Sequence, residues 1–235
     1  MGGGLPGHSL AIRLGFWSSV VILACGAVLI GGIFASAYYL PAALTTGWSG
    51  MQQYADAYRA SGGTITSLIF LAALVSCPAY VVQITSIHSL DSNSDRRRAR
   101  LGAGFALAFA VLAGLNYVVQ LSIVRTGILE GQSEDLAWLV FQNPGSLMIA
   151  SDFIGWFFLG LALLSVAPFF AGDRLNRSIR LFLVASGISG TVLVVGYATG
   201  NPGVGLVFLT VMSGVLTCVD VLLLVFFRRL MRRPA

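Results

Sequence analysis

Six stretches, at 14–40, 63–87, 101–124, 146–170, 179–199 and 203–227, are each apolar over the roughly 20 residues needed to cross a hydrocarbon core. Lipid offers a peptide group no hydrogen-bond partner, so a spanning segment must satisfy its own backbone. The runs lack the period-two alternation of barrel strands, which leaves helices. The expected fold is therefore all-α: a polytopic membrane protein forming a six-transmembrane-helix bundle. With 57% hydrophobic and 10% charged residues, the chain departs from soluble domains, which carry about 25% charged residues. Residues 1–13 are Gly-rich and are expected to be a mobile N-terminal segment, and 228–235 an Arg-rich tail. Nothing between the runs is long enough for a second domain.

The connections set the topology. All fourteen basic residues are arginines. Arg13, the group Arg96, Arg97, Arg98 and Arg100, the group Arg174, Arg177 and Arg180, and Arg228, Arg229, Arg232 and Arg233 all fall on one side of the membrane. Only Arg59 and Arg125 fall on the other. This asymmetry predicts both termini in the cytoplasm of a plasma membrane. The same arginines would draw anionic inner-leaflet lipids. Their juxtamembrane placement explains the net charge of +5 without a nucleic-acid partner.

Arg13, the first run and Ala35-Ser36-Ala37 echo a cleavable signal, but the apolar stretch exceeds a signal core, so a retained helix is expected. Cys25, Cys77 and Cys218 lie inside runs with no C-x-x-C pair, as apolar packing residues do. His8 and His88 sit at run ends, so no intramembrane histidine offers a haem ligand, metal ligand or general base. Phosphate-loop, zinc-protease, nucleophile-elbow and dinucleotide signatures are missing. The reading leans against an enzyme and names no catalytic residue, metal or cofactor.

Two outer connections carry amphipathic patterns. Met51, Tyr54, Ala55 and Tyr58 share one helical face, with Gln52, Gln53, Asp56 and Arg59 opposite. In the second, Ser133 is a helix cap followed by Glu134, Asp135, Leu136, Trp138, Leu139 and Phe141. Gln142-Asn143-Pro144-Gly145 then turns the chain, with Ser146 capping the fourth run. Pro41 ends the first run, and Asn201-Pro202-Gly203 forces runs five and six to be antiparallel neighbours. Pro78 should bend the second run. Small residues at 186–190, with Gly196 and Gly200, predict a close helix contact with run six.

Polar side chains at membrane depth are the candidates for function. At 1.5 Å per residue, Asp152 lies about 9 Å below the outer boundary, and Asn116 and Gln120 lie about 12 and 6 Å below it. With Arg125 at the mouth of the third run and Tyr117 beside it, Asn116, Gln120, Arg125 and Asp152 form a candidate ligand-binding set. The plainer reading is a network that fixes the packing of runs three and four. Asp220, about 12 Å above the inner boundary, ends a stripe of Thr210, Ser213 and Thr217. It could meet Ser76, Tyr80 and Gln83 of the second run. Asp220, Thr217 and Gln83 are a candidate proton relay, with a structural, hydrogen-bonded Asp as the alternative. The two carboxylates differ by about 10 Å in depth, too far for a shared-proton dyad.

Asn116-Tyr117-x-x-Gln120 on the third run, followed by Asn143-Pro144 opening the fourth, resembles six-span bacterial integral membrane proteins of no known activity. The resemblance covers about residues 100–200 and implies six helices; no site residue follows from it. The Lys-free, Arg- and Ala-rich usage suits a bacterial genome. The leading functional expectation is binding or sensing of a small lipophilic molecule in an outer-half pocket. The alternatives are a structural or accessory subunit that docks a membrane-protein partner, and a small proton-coupled transporter. A recess at Asn116, Gln120 and Asp152 would favour binding, a closed interior the accessory subunit, and a polar route from Asp152 to Asp220 transport.

Overall fold

The computed structural model describes residues 6–39, 48, 50–60, 63–90, 96–132, 134–200 and 202–232. Among them are no strands and six helices long and apolar enough to cross a membrane. These are α1 (Pro6–Tyr39), α3 (Thr64–Leu90), α4 (Arg96–Val119), α6 (Leu147–Val166), α7 (Arg174–Ala198) and α8 (Pro202–Met231). A π-helical turn (Gln120–Val124) joins α4 to α5 (Arg125–Leu129), so the third span runs Arg96–Leu129. A short helix, α2 (Met51–Ala60), lies in the connection between α1 and α3. The Pro41 stop, the Ser133 cap and Asn201 of the last turn lie outside the described residues.

Except for α6, the helical spans exceed the apolar runs because polar and arginine turns extend them. Residues 6–13, expected to be mobile, form the start of α1, and Arg228 and Arg229 remain in α8. Caps set two starts. Ser146 Oγ accepts from Ile149 N (3.2 Å) to open α6, and Asp173 Oδ1 accepts from Asn176 N (2.9 Å) to open α7. Where the sequence pattern suggested a helix at 134–141, only a 3-10 turn at Glu134–Leu136 forms, followed by turns.

Each span packs against its neighbours in sequence, and α8 returns to α1, closing a six-membered ring. Phe227 of α8 lies over Gly15 of α1 at that seam, where a β-carbon would collide with the ring. The start of α1, the end of α3, the α6–α7 connection and the end of α8 meet at one end: His8, Leu90, Asp173 and Arg229 line the same space. Arg59 and α5 meet at the opposite, capped end.

Inside the ring, Ile84, Phe109, Leu159, Leu163, Leu183 and Met212 are buried to within 1% exposure, so the centre is filled. Hydrocarbon gives helices no hydrophobic reason to associate; close packing must do it. The small stripe on α7 does this chiefly against α6, not α8. A β-carbon on Gly160 would stand 3.1 Å from Gly187 O, and one on Gly190 would stand 3.0 Å from Trp156 O. Gly160 is the reason, because it lets two backbones touch, whereas α8 offers the flexible Met212 Cε at 3.3 Å from a β-carbon built on Gly190. Gly200 takes no part in this seam; it follows the helix at φ +69°.

A second, smaller core forms at the capped end. Ala55 and Tyr58 of α2 pack with Val119, Val124, Ile128, Leu136, Leu139, Val140 and Met148. Arg59 Nε donates to Ile128 O (3.0 Å), and Tyr58 Oη pairs with Ser67 Oγ (3.3 Å). Burial, with Tyr58 nearby, pushes the Tyr54 phenol above its ordinary range.

Gly160→Leu should lower the melting temperature in detergent through an overpacking cost of about 1–3 kcal/mol or more. Gly104→Leu, where a β-carbon meets nothing within 4 Å, should leave it unchanged. Equal melting of the two variants would contradict the α6–α7 backbone contact.

Candidate functional site

Two polar clusters sit within the ring. The one nearer the cap is built by α4 and α6. Asn116 and Gln120, one turn apart, face inward and are buried (0% and 3% exposed), as is Asp152 (2%). Asn116 Nδ2 donates to Asp152 Oδ1 (3.3 Å), and Trp156 Nε1 donates to Asp152 Oδ2 (2.9 Å). The meeting of Asn116, Gln120 and Asp152 expected from their depths is thus observed. Trp156 was missed, although its i, i+4 spacing from Asp152 puts it on the same face.

Gln120 links this cluster to the cap. Its Nε2 donates to Leu139 O (2.6 Å) and Asn116 Oδ1 (3.3 Å), and its Oε1 accepts from Phe141 N (3.2 Å). One buried amide therefore holds the backbone of the connection before α6. The π turn starts at this residue. Such turns recur at functional positions because one extra residue per turn re-aims side chains. Asn143 Nδ2 braces the same connection through Ala137 O (2.7 Å). The set forms a closed network rather than a recess.

Arg125 does not join it. The residue follows the π turn, and its side chain is exposed on the outside of the bundle. Counting along the sequence could not show this, because the extra turn residues rotate everything after Gln120.

The second cluster joins α1, α3 and α8. Asp220 is 2% exposed and accepts from Tyr80 Oη (3.1 Å) and Gln83 Nε2 (3.1 Å). Gln83 Nε2 also reaches Ser19 Oγ (3.0 Å), a partner on the first span that the sequence did not single out. Thr217 is elsewhere: exposed on the outer face of α8, it donates to Ser213 O (2.9 Å). The expected stripe splits because Thr217 and Asp220, three residues apart, still differ by about 60° round the axis of a helix whose inward face is narrow. Thr210 lies outside the described side chains. Ser76 bonds its own helix at Ala73 O (2.7 Å).

The two clusters are separated by an aromatic stack. The Tyr80 ring packs edge-on to Phe109 (5.9 Å between centroids), and Phe109 packs on Trp156 (5.5 Å). Phe109 is 1% exposed and has no polar atom, so the hydrogen-bonded chain from Asp220 to Asp152 stops there. Among the described residues, neither carboxylate has a cation within ion-pair distance; the ion pair seen is Arg59–Asp56 at 3.2 Å on the cap. Both are held by neutral donors. No group of three or more His, Cys, Asp or Glu among the described residues is arranged to hold a metal ion.

No protein-family model matches the chain, and no curated protein or solved structure shows a significant match to it. The functional reading therefore stands on this geometry.

Gln120→Ala should strand the Phe141 amide and Leu139 carbonyl, at a cost of about 1–3 kcal/mol. Hydrogen exchange at 137–142 should speed up by at least about tenfold while the spans stay protected. Unchanged exchange would show that the amide does not hold the cap.

Proposed function

We propose that this chain is a non-enzymatic, structural or accessory subunit of a membrane complex, docking another membrane protein through the outer face of α8. The carrying observation is how α8 divides its residues. Asp220 is spent inward, while Ser213, Gly214, Thr217 and Cys218 occupy the lipid-facing surface. Gly214 has no neighbour within 4 Å of a built β-carbon. Side chains this small leave a shallow channel flanked by exposed Val211 and Val221, where a second helix can approach backbone to backbone. The filled ring and the satisfied outer network support the same reading.

A second reading, binding of a small lipophilic molecule, is favoured by one feature. The cap has its own core, and Gln120 attaches it to the aromatic and acidic surroundings of Asp152. A ligand would enter by exchanging those bonds. Proton-coupled transport is disfavoured by Phe109 between the two carboxylates. In both readings the arginine-rich end faces the cytoplasm of a bacterial plasma membrane, by the charge asymmetry.

The test is the mass of the particle excised from its host membrane in polymer nanodiscs. The wild type should exceed one 24.8 kDa chain and contain a second protein. The double variant Gly214→Leu with Thr217→Leu should lose that protein and keep the wild-type melting temperature. A wild-type particle holding this chain alone, or an unchanged particle in the variant, would overturn the proposal.

A further inference from the structure

At the arginine-rich end the ring opens into a pocket of about 300 Å³ between the start of α1, the end of α3, the α6–α7 connection and the end of α8. That is the low end of volumes that hold small ligands. Its wall is apolar: Ile12, Leu90, Phe169, Leu175, Phe226 and Leu230. Its polar lining is His8, Asp173, Asn176 and Arg229. Asp173 is already engaged, since its Oδ1 caps α7 through Asn176 N (2.9 Å). Asn176 Nδ2 donates to Ala171 O (3.2 Å). Arg229 is exposed and has no ion-pair partner among the described residues.

A guanidinium without an ion-pair contact, at the rim of a slot whose wall is apolar and whose one carboxylate caps α7, selects a particular kind of molecule. The ligand must carry an anionic head with oxygens for the guanidinium fork and a hydrocarbon part for the Phe169–Phe226 wall. We infer that this pocket seats the phosphate headgroup of an anionic phospholipid from the leaflet at the arginine-rich end. A free phosphate would use Arg229 but leave the slot unfilled. The lipid uses both, its headgroup at Arg229 and its apolar part against Phe169 and Phe226. Arg228 and Arg232 on the same helix end, and Arg174 and Arg177 on α7, raise the local anion concentration. They would attract any anionic lipid diffusely. Arg229 is the arginine that lines the pocket.

The distinction is measurable by native mass spectrometry of protein reconstituted with equal phosphatidylglycerol and phosphatidylcholine and then released into detergent. The wild type should retain one phosphatidylglycerol per chain in preference to phosphatidylcholine. Arg229→Gln should reduce that retention by about fivefold, the factor expected for one interfacial arginine, whereas Arg232→Gln should not. Equal loss in the two variants would mean diffuse attraction and overturn the site. So would equal retention of both lipids by the wild type, a measurement that needs no variant. Displacement of the bound lipid by millimolar inorganic phosphate alone would show a phosphate site rather than a lipid site, and would equally overturn the inference.

Discussion

Hydrocarbon cannot hydrogen-bond, and this constraint arranges the rest of the molecule. An aspartate at mid-depth costs about 2.5–3.5 kcal/mol on insertion scales unless protein receives it. The chain meets that cost twice, in different ways. Asp152 is received by Asn116 and Trp156 from two adjacent spans, and Asp220 by Tyr80 and Gln83 of α3. Each carboxylate thereby fixes how neighbouring helices face one another. Through Gln83 and Ser19 the second cluster reaches α1, and through Gln120 the first reaches the cap. The ring closure and the roof are both tied to these inward acids.

The packing follows from the same constraint. Since apolar contact with a neighbour is hardly better than contact with lipid, shape decides which helices touch. Gly160, Gly187 and Gly190 bring α6 and α7 to backbone contact, and Gly15 admits Phe227. The cap differs. Its contacts lie at one end of the spans and in the connections there, where burying Tyr58, Ile128 and Val140 away from water is favourable in the ordinary way. That difference in solvent is why the molecule has two cores.

Much of this was legible in the sequence, and the limits have physical causes. The six runs, the Ser146 cap, the amphipathic face of α2 and the Asn116–Asp152 meeting follow from period, length and depth. These are properties of single helices or of one hairpin. Arg125 escaped because a π turn is invisible to a 3.6-residue count. Thr217 escaped because depth gives height along a helix but not azimuth. The choice of α6 over α8 as the partner of the α7 glycines depends on Gly160, which is conspicuous only once the ring order is known. Ser19 entered the inner cluster from a span read as uniformly apolar, where one buried hydroxyl gives no periodic signal.

The central claim is that the ring is filled and its acids are sealed by neutral donors and aromatic rings. Hydroxyl-radical footprinting in lipid nanodiscs, where water generates the label, tests it most directly. Tyr80, Cys77 and Trp156 should remain unmodified while the exposed Trp138 of the cap is oxidised. Oxidation of Trp156 or Tyr80 at a rate near that of Trp138 would mean that water reaches the carboxylates, and would contradict the closed interior.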